Sequence, residues 1–277
     1  MTKISNDKYY TPEGIVVKCL GLLREAVPLF HFSEIVEPSA GNGAFVDKLK
    51  STFPDTEVVA YDIEPDRNDI IKADFLALPV EYKEGRLIIG NPPFGTRNTK
   101  SVKFFQKSCE LCDYIAFIQP ISQLNNNMQM YQFDLIASYD LGVQFYTDRY
   151  LHCCFNIYKR PKQWFLNPKP NYKLKDITII EHRRKKGCKM AEGTAIPPNF
   201  DYAICNWGNG SLGKVPEFVG EYAQEVYFYC HKKELLPKLL ELLKYSTIRD
   251  YVKSISMKKI SVARLYKYLK DNIVGVE

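Results

Sequence analysis

The tetrapeptide Asn91-Pro92-Pro93-Phe94 has residue types that suit chemistry on a planar amino group. Its prolines hold the backbone extended and have no N–H, so the segment presents hydrogen-bond acceptors. The side-chain oxygen of Asn91 and the carbonyl of Pro92 can converge on the two hydrogens of an NH₂ group, while Phe94 offers a stacking face. Two such acceptors favour a pyramidal nitrogen, and they stabilise the charge that develops as this nitrogen attacks an electrophile.

A second segment, Glu37-Pro38-Ser39-Ala40-Gly41-Asn42-Gly43, contains two glycines that let the backbone pass close to a ligand. Asp62 follows the next apolar stretch, and a carboxylate there can accept hydrogen bonds from ribose hydroxyls. The glycines do not continue into the longer spacing of dinucleotide-binding loops. The pattern therefore favours a nucleoside-type cofactor without a phosphate over a dinucleotide.

The elements around these motifs alternate between short apolar strands and helices, which predicts a parallel sheet with helices on both faces. Strands are predicted at 34–37, 57–61, 70–73, 86–90 and 114–118, helices at 44–49 and 102–112, and an edge hairpin at 139–145 and 153–158. Ligands of such sheets bind beyond the carboxyl ends of the strands. The glycine segment, Asp62, Asp74 and Asn91 all follow predicted strands, so we expect them to meet at one edge.

The charge of the chain is unevenly distributed. Residues 1–159 carry 16 lysines and arginines against 20 aspartates and glutamates, whereas residues 160–277 carry 22 against 12. This asymmetry predicts a catalytic domain at 1–159 and a basic, polyanion-binding domain at 160–277, joined through a proline-containing linker. In the second domain, strands are predicted at 176–182, 200–206 and 225–231, and helices at 234–245, 248–252 and 260–269.

The composition excludes several classes of protein. With 45% hydrophobic and 25% charged residues, the chain is neither disordered nor fibrous. It has no apolar run of membrane-spanning length, and its first residues have no apolar signal core, so we expect a cytoplasmic protein. Its eight cysteines fit free thiols better than a disulfide scaffold. We expect no metal site, because the C-x-x-C pair Cys109 and Cys112 has no second ligand pair.

Taken together, these motifs resemble those of the S-adenosylmethionine-dependent amino-methyltransferases that carry Asn-Pro-Pro-Phe. Tyr10-Thr11-Pro12 resembles the N-terminal motif of DNA adenine-N6 methyltransferases with a C-terminal target-recognition domain. The resemblance covers residues 9–158. It implies a Rossmann-like α/β methyltransferase fold with a mostly parallel seven-stranded sheet, followed by a smaller basic α+β domain.

The resemblance also implies roles for individual residues. Asn91, Pro92, Pro93 and Phe94 would hold the target base, and Phe155 would supply a second stacking face. The methionine half of S-adenosylmethionine would lie near Tyr10, Thr11, Pro12, Glu37, Pro38, Ala40 and Gly41. Asp62 would bind the ribose, and Ile63, Asp74 and Phe75 would surround the adenine.

The implied reaction is methylation of the N6 amine of adenine in DNA, with the base flipped out of the duplex. Methylation of RNA adenine or of a protein glutamine amide stays open, as does a catalytically idle nucleic-acid-binding subunit. The implied partner is DNA or RNA, and no contact with a membrane is implied. The chain would be a monomer or a weak homodimer. A cognate restriction enzyme, as a genetic rather than a physical partner, also stays open.

The basic run that follows the strand at 176–182 is the candidate for contacts with phosphates. Such contacts position a protein on nucleic acid without reading the bases. A solvated loop is the alternative interpretation. The residues concerned are Arg183, Arg184, Lys185 and Lys186.

Overall fold

The computed structural model describes residues 9–28, 31–79, 81–147, 149–161, 165–183, 199–208, 210–254 and 259–273. The chain divides into two compact units, Met1–Pro170 and Asn171–Glu277. The second unit therefore begins eleven residues after the predicted start of the second domain at residue 160. The reason is that the linker packs on the first unit: the Arg160 guanidinium donates to the carbonyls of Cys109 and Cys112 and pairs with Asp113.

The first unit contains a seven-stranded sheet in the order β3-β2-β1-β4-β5-β7-β6. β1 to β5 run parallel to one another, whereas β6 and β7 form an antiparallel hairpin whose strand β7 pairs antiparallel with β5. The mostly parallel α/β fold is thus confirmed. The strands are β1 Glu34–Glu37, β2 Val58–Asp62, β3 Ile71–Lys72, β4 Arg86–Gly90, β5 Tyr114–Pro120, β6 Asp134–Tyr146 and β7 Arg149–Lys159.

Alternate residues of the central strands enter two different cores, one on each face of the sheet. Ile35 of β1 packs with helices α1 (Glu13–Ala26) and α2 (Ala44–Thr52), whereas Val36 packs with α3 (Thr99–Cys109). Burial on both faces explains why these strands are continuous apolar runs rather than alternating ones.

Helix α1 is the one helix of the first unit for which the sequence analysis made no prediction. It begins after Pro12, whose carbonyl accepts a hydrogen bond from the N–H of Ile15. Val16, Leu20 and Leu23 lie on its buried face, at the spacing of an amphipathic helix. The Tyr-Thr-Pro motif directly precedes this helix. Because the helix packs on the sheet, it determines where the motif lies relative to the strands.

The second unit is a smaller α+β structure, as predicted. Its three-stranded antiparallel sheet has the order β8-β10-β9, and three helices pack with it around one core. Its elements are β8 Ile177–Arg183, β9 Tyr202–Cys205, β10 Gln224–Cys230, α4 Leu236–Leu242, α5 Tyr245–Ser254 and α6 Val262–Asn272. In the described parts of both units, no helix has the length and apolar character needed to cross a membrane.

Candidate active site

A cavity of about 460 Å³ lies at the carboxyl edge of the parallel strands in the first unit. Residues that follow β1, β2, β3 and β4 line it together with the Tyr-Thr motif and α3. Of the sequence-predicted site residues, Pro12, Pro92 and Phe94 do not line the cavity. Those that do are Tyr10, Thr11, Glu37, Pro38, Ala40, Gly41, Asp62, Ile63, Asp74, Phe75, Asn91 and Pro93.

The loop between β1 and α2 needs glycine for its backbone geometry. Gly41 and Gly43 have φ angles of +53° and +81°, in the left-handed region that side chains with a Cβ rarely adopt. A Cβ on Gly41 would also lie 3.4 Å from the ring of Tyr10, which covers the loop. The Tyr10 hydroxyl donates to Asp66 at 2.5 Å, so this ring is held in place over one end of the cavity.

Asp62 holds the glycine loop from the neighbouring strand. Its Oδ2 accepts a hydrogen bond from the N–H of Gly41 at 2.7 Å, and its Oδ1 accepts one from the N–H of Glu64 at 2.8 Å. Each carboxylate oxygen has a further lone pair. Asp62 is therefore oriented by the backbone and can still accept hydrogen bonds from a ligand in the cavity.

Glu37 is a buried carboxyl group in the cavity wall. Its side chain packs beside Gly90, where a Cβ would lie 3.3 Å from Oε1. The residue is only 2% exposed, and within the described part of the chain its Oε2 has no hydrogen-bond partner. Burial, and secondarily the negative charge of Asp62, raise the pKa of Glu37 well above its usual value. An unpartnered buried carboxyl is costly, so a cationic or hydrogen-bond-donating ligand at this position would stabilise the site.

Apolar and aromatic residues also line the cavity, among them Ile63, Phe75 and Phe104. The ring of Phe75 stacks on that of Phe104 with centroids 5.6 Å apart, and Ile63 is 64% exposed. Asp74 Oδ1 accepts a hydrogen bond from the N–H of Leu76, which orients the carboxylate at the start of a short 3₁₀ turn. This arrangement suits a planar ring with a polar edge.

Asn91 is oriented by a residue of the N-terminal motif. Its Nδ2 donates a hydrogen bond to Oγ1 of Thr11 at 3.2 Å, although the two residues are 80 positions apart. Because Nδ2 is used in this contact, Oδ1 is left as an acceptor for another group. The sequence analysis assigned Thr11 to the cofactor, and its contact with Asn91 was not foreseen.

The aromatic residues assigned to base stacking have different environments. Phe94 is partly buried and packs against the core on the α1 face of the sheet. Phe155 is completely buried in that same core, so the prediction that it supplies a stacking face is wrong. Its place in β7, opposite Ile118 of β5, makes it a core residue.

Three cavity-lining residues of α3 were missed: Lys100, Lys103 and Phe104. Their position in the helix that directly follows the tetrapeptide is the sequence signal that could have identified them. Of the candidate phosphate contacts, Arg183 ends β8 and pairs with Glu181 at 2.6 Å. Arg184, Lys185 and Lys186 lie outside the described residues.

The cysteines in the described ranges are free and buried. Burial raises the pKa of the Cys109 thiol and that of the Cys112 thiol. No group of three or more histidine, cysteine or acidic side chains suited to a metal ion occurs in the part of the chain that the structure describes.

No protein-family model matches the chain. It is 27% identical over 156 residues to the Type II methyltransferase M.CvrRI of Paramecium bursaria Chlorella virus XZ-6E, across 47% of this chain and 40% of that protein. It is 32% identical over 139 residues to the Type II methyltransferase M.HincII of Haemophilus influenzae, across 44% of this chain and 26% of that protein. The chain thus spans well under half the length of these curated relatives.

Two solved structures are similar to part of the chain. Protein PH1948 of Pyrococcus horikoshii is 13% identical with a TM-score of 0.46, covering 58% of this chain and 90% of that one. The magnesium protoporphyrin IX methyltransferase ChlM of Synechocystis PCC 6803, solved with bound SAM, is 9% identical with a TM-score of 0.40. The match covers 54% of this chain and 79% of that one.

Proposed function

We propose that this chain transfers a methyl group from S-adenosylmethionine to the N6 amine of an adenine in DNA. The observation that carries the proposal is the shared cavity of Glu37, Asp62 and Asn91. A cationic nucleoside cofactor and an amine-bearing target can meet there. The names of the matching relatives, which are Type II methyltransferases, support the same reaction class.

The cavity residues fit S-adenosylmethionine on three counts. The unpartnered Oε2 of Glu37 suits the positively charged amino-acid and sulfonium portion of that cofactor. Asp62 offers acceptors for ribose hydroxyls, and the wall around Ile63 and Phe75 suits the adenine ring. When bound, the cofactor supplies an activated methyl group on a sulfonium centre.

The role of Asn91 follows from its contact with Thr11. With Nδ2 donating to Thr11, Oδ1 can accept a hydrogen bond from the target amine. We assign the second hydrogen bond to the carbonyl of Pro92 from its place next to Asn91 in the chain, although Pro92 does not line the cavity. Both acceptors become more favourable as positive charge develops on the amine nitrogen, which gains the methyl group and then loses one proton to solvent.

The order of motifs and the positive charge of residues 160–277 favour adenine in DNA as the substrate over a protein glutamine, and favour an enzyme over an idle binding subunit. The Tyr-Thr-Pro motif precedes the glycine loop, and residues 160–277 carry ten positive charges in excess. A glutamine substrate requires no such basic region, and an idle binding subunit requires neither Glu37 nor an oriented Asn91. RNA shares the phosphate chemistry of DNA, and the substrate assay separates the two.

The substrate assay uses S-adenosylmethionine labelled in its methyl group. The full chain is incubated separately with unmethylated DNA, with RNA and with a protein mixture, and the labelled product is identified after hydrolysis. We expect N6-methyladenine from DNA. Labelled RNA adenine or glutamine would replace the proposed substrate, and NAD binding in place of S-adenosylmethionine would overturn the proposal as a whole.

Replacing Thr11 tests its positioning of Asn91. We expect Thr11→Val to lower kcat up to about tenfold, because a neutral hydrogen bond contributes about 1 kcal/mol. Thr11→Ser keeps the hydroxyl and should restore most of the rate. The affinity for S-adenosylmethionine, measured by calorimetry, should change less than kcat in both variants. Equal rates for the valine and serine variants would show that this hydrogen bond does not orient Asn91.

Cofactor binding should be linked to the protonation of Glu37. Burial and Asp62 raise the pKa of this carboxyl, so the free chain holds a proton there below the raised value, whereas a bound cation favours the ionised form. We therefore expect binding to release a proton, and affinity to rise as the pH increases through the raised pKa of Glu37. Calorimetry in two buffers of different ionisation enthalpy measures the release. Glu37→Gln should abolish it, and an unchanged release in that variant would refute the linkage.

A further inference from the structure

The segment directly after the catalytic tetrapeptide is cationic within an otherwise acidic unit. Residues 95–109 contain four lysines and arginines and no acidic residue, whereas the rest of residues 1–159 carries 12 against 20. The basic residues are Arg97, Lys100, Lys103 and Lys107. We propose that Arg97, Lys100 and Lys103, here called the α3 cationic face, bind the phosphates of the DNA strand next to the flipped nucleotide. This inference rests on the proposed function.

Helix α3 has a buried side in addition to the exposed side that carries Lys100 and Lys103. Phe104, Phe105 and Cys109 pack into the core below the sheet, and Ser101 is also fully buried. Lys100 and Lys103 are exposed and lie three residues apart, on one side of the helix. Both also line the cavity that contains Asn91. The exposed side of α3 therefore reaches the cavity that a target base would enter.

The turn that precedes α3 sets the direction of Arg97. Arg97 and Asn98 have φ angles of 55° and 65°, in the left-handed region that residues other than glycine seldom adopt. The Asn98 side chain turns inward and is 5% exposed, while Arg97 is exposed to solvent. A strained turn of this kind is retained where the surrounding structure or the function requires it. Here it places a guanidinium three residues after Phe94.

Two members of the α3 cationic face, Arg97 and Lys103, are not neutralised by an ion pair within the described ranges. In those ranges, Lys107 has only an exposed pair with Glu110 at 3.4 Å. Exposed pairs of this type contribute little, so they compete weakly with a polyanion. The charges of Arg97 and Lys103 are thus available to a ligand with several negative groups.

The dimensions suit one strand of nucleic acid. The seven helical steps from Lys100 to Lys107 span about 10 Å. Phosphates of one strand of B-form DNA follow each other at about 3.4 Å along the axis, so this length spans about three nucleotides. Lys100 and Lys103 line the cavity and are exposed to solvent, so they can reach the phosphates of a base that occupies it. The partner is therefore the backbone that flanks the target base.

The test is a salt titration of DNA binding by the full chain, with a random-sequence duplex as the probe. The variant carries Arg97→Gln, Lys100→Gln and Lys103→Gln. Its matched control carries Lys18→Gln, Lys48→Gln and Lys50→Gln, which neutralise the same number of charges on α1 and α2, across the sheet from α3. A charge-preserving variant, Arg97→Lys with Lys100→Arg and Lys103→Arg, separates loss of charge from damage to the fold.

We expect the log–log slope of the α3 variant to be shallower than that of the unmodified chain by up to about 2.7, which corresponds to three phosphate contacts. The control and the charge-preserving variant should keep the original slope. A slope unchanged in the α3 variant, or reduced equally in the control, would overturn the inference. So would a loss of S-adenosylmethionine affinity without a change in slope, because the lysines would then serve the cofactor.

The same preparations separate this inference from the proposed function. If the unmodified chain methylates DNA while the α3 variant keeps its salt slope, only the assignment of the α3 cationic face fails. If the unmodified chain transfers no label to DNA, the proposed function fails, and the inference fails with it.

Discussion

Asn91→Ala should lower kcat for methyl transfer by about a hundredfold or more while leaving the affinity for S-adenosylmethionine nearly unchanged. The variant removes Oδ1, the acceptor proposed to stabilise charge on the amine nitrogen, and losing one such preorganised group costs roughly 10² to 10³ in rate. Single-turnover transfer to DNA measures the chemical step, and calorimetry measures the cofactor affinity.

Asn91→Asp is the control for this prediction. It keeps an acceptor oxygen and allows the Thr11 hydroxyl to donate to the other oxygen, so it should retain far more activity than the alanine variant. A melting temperature close to that of the unmodified chain excludes a general loss of structure. Wild-type rates in Asn91→Ala would show that the tetrapeptide does not act through this side chain.

Asp62→Ala should produce the opposite pattern, a weakened affinity for S-adenosylmethionine with a smaller change in kcat at saturating cofactor. Hydrogen bonds to charged groups contribute about 1.5 to 3 kcal/mol, so we expect affinity to fall about 10- to 100-fold. The change removes the ribose acceptor and also the bonds that hold Gly41 and Glu64 in place. Calorimetry measures the dissociation constant directly.

Asp69→Ala is the matched control, since it removes the same charge from an exposed carboxylate that pairs with Lys50 and Arg67. It should leave cofactor affinity close to that of the unmodified chain. If both aspartate variants bind equally well, Asp62 does not contact the cofactor. If both lose affinity equally, the effect is one of net charge rather than of a specific contact.

Much of the first unit could be predicted because its signals are local. Apolar runs of four or five residues ending in an acidic or amide residue identified β1, β2 and β4 with nearly their observed bounds. Helix α1 was not predicted, although its buried residues Val16, Leu20 and Leu23 recur at the spacing of an amphipathic helix. The compact units divide after Pro170, because Arg160 and Asn167 bond to the first unit, and proline content does not report such contacts.

The residue types that could do chemistry, and their meeting at one edge of a sheet, could be inferred from the amino-acid sequence alone. Parallel strands end at the same edge, so Asp62, Asp74 and Asn91 could be placed together from strand positions alone. The cavity at that edge contains all three. The distribution of charge likewise divided the chain into an acidic and a basic half, because net charge is a property of composition.

The burial, orientation and hydrogen-bond partners of each side chain could not be predicted from the sequence. They depend on contacts between residues that are distant in sequence. The hydrogen bond from Asn91 to Thr11 joins residues 80 positions apart, and it determines which atom of the amide remains free. Packing between β5 and β7 placed Phe155 in the core, and packing of α3 brought Lys100 and Lys103 to the cavity. Burial left Glu37 without a partner for Oε2, a property that no sequence pattern can report.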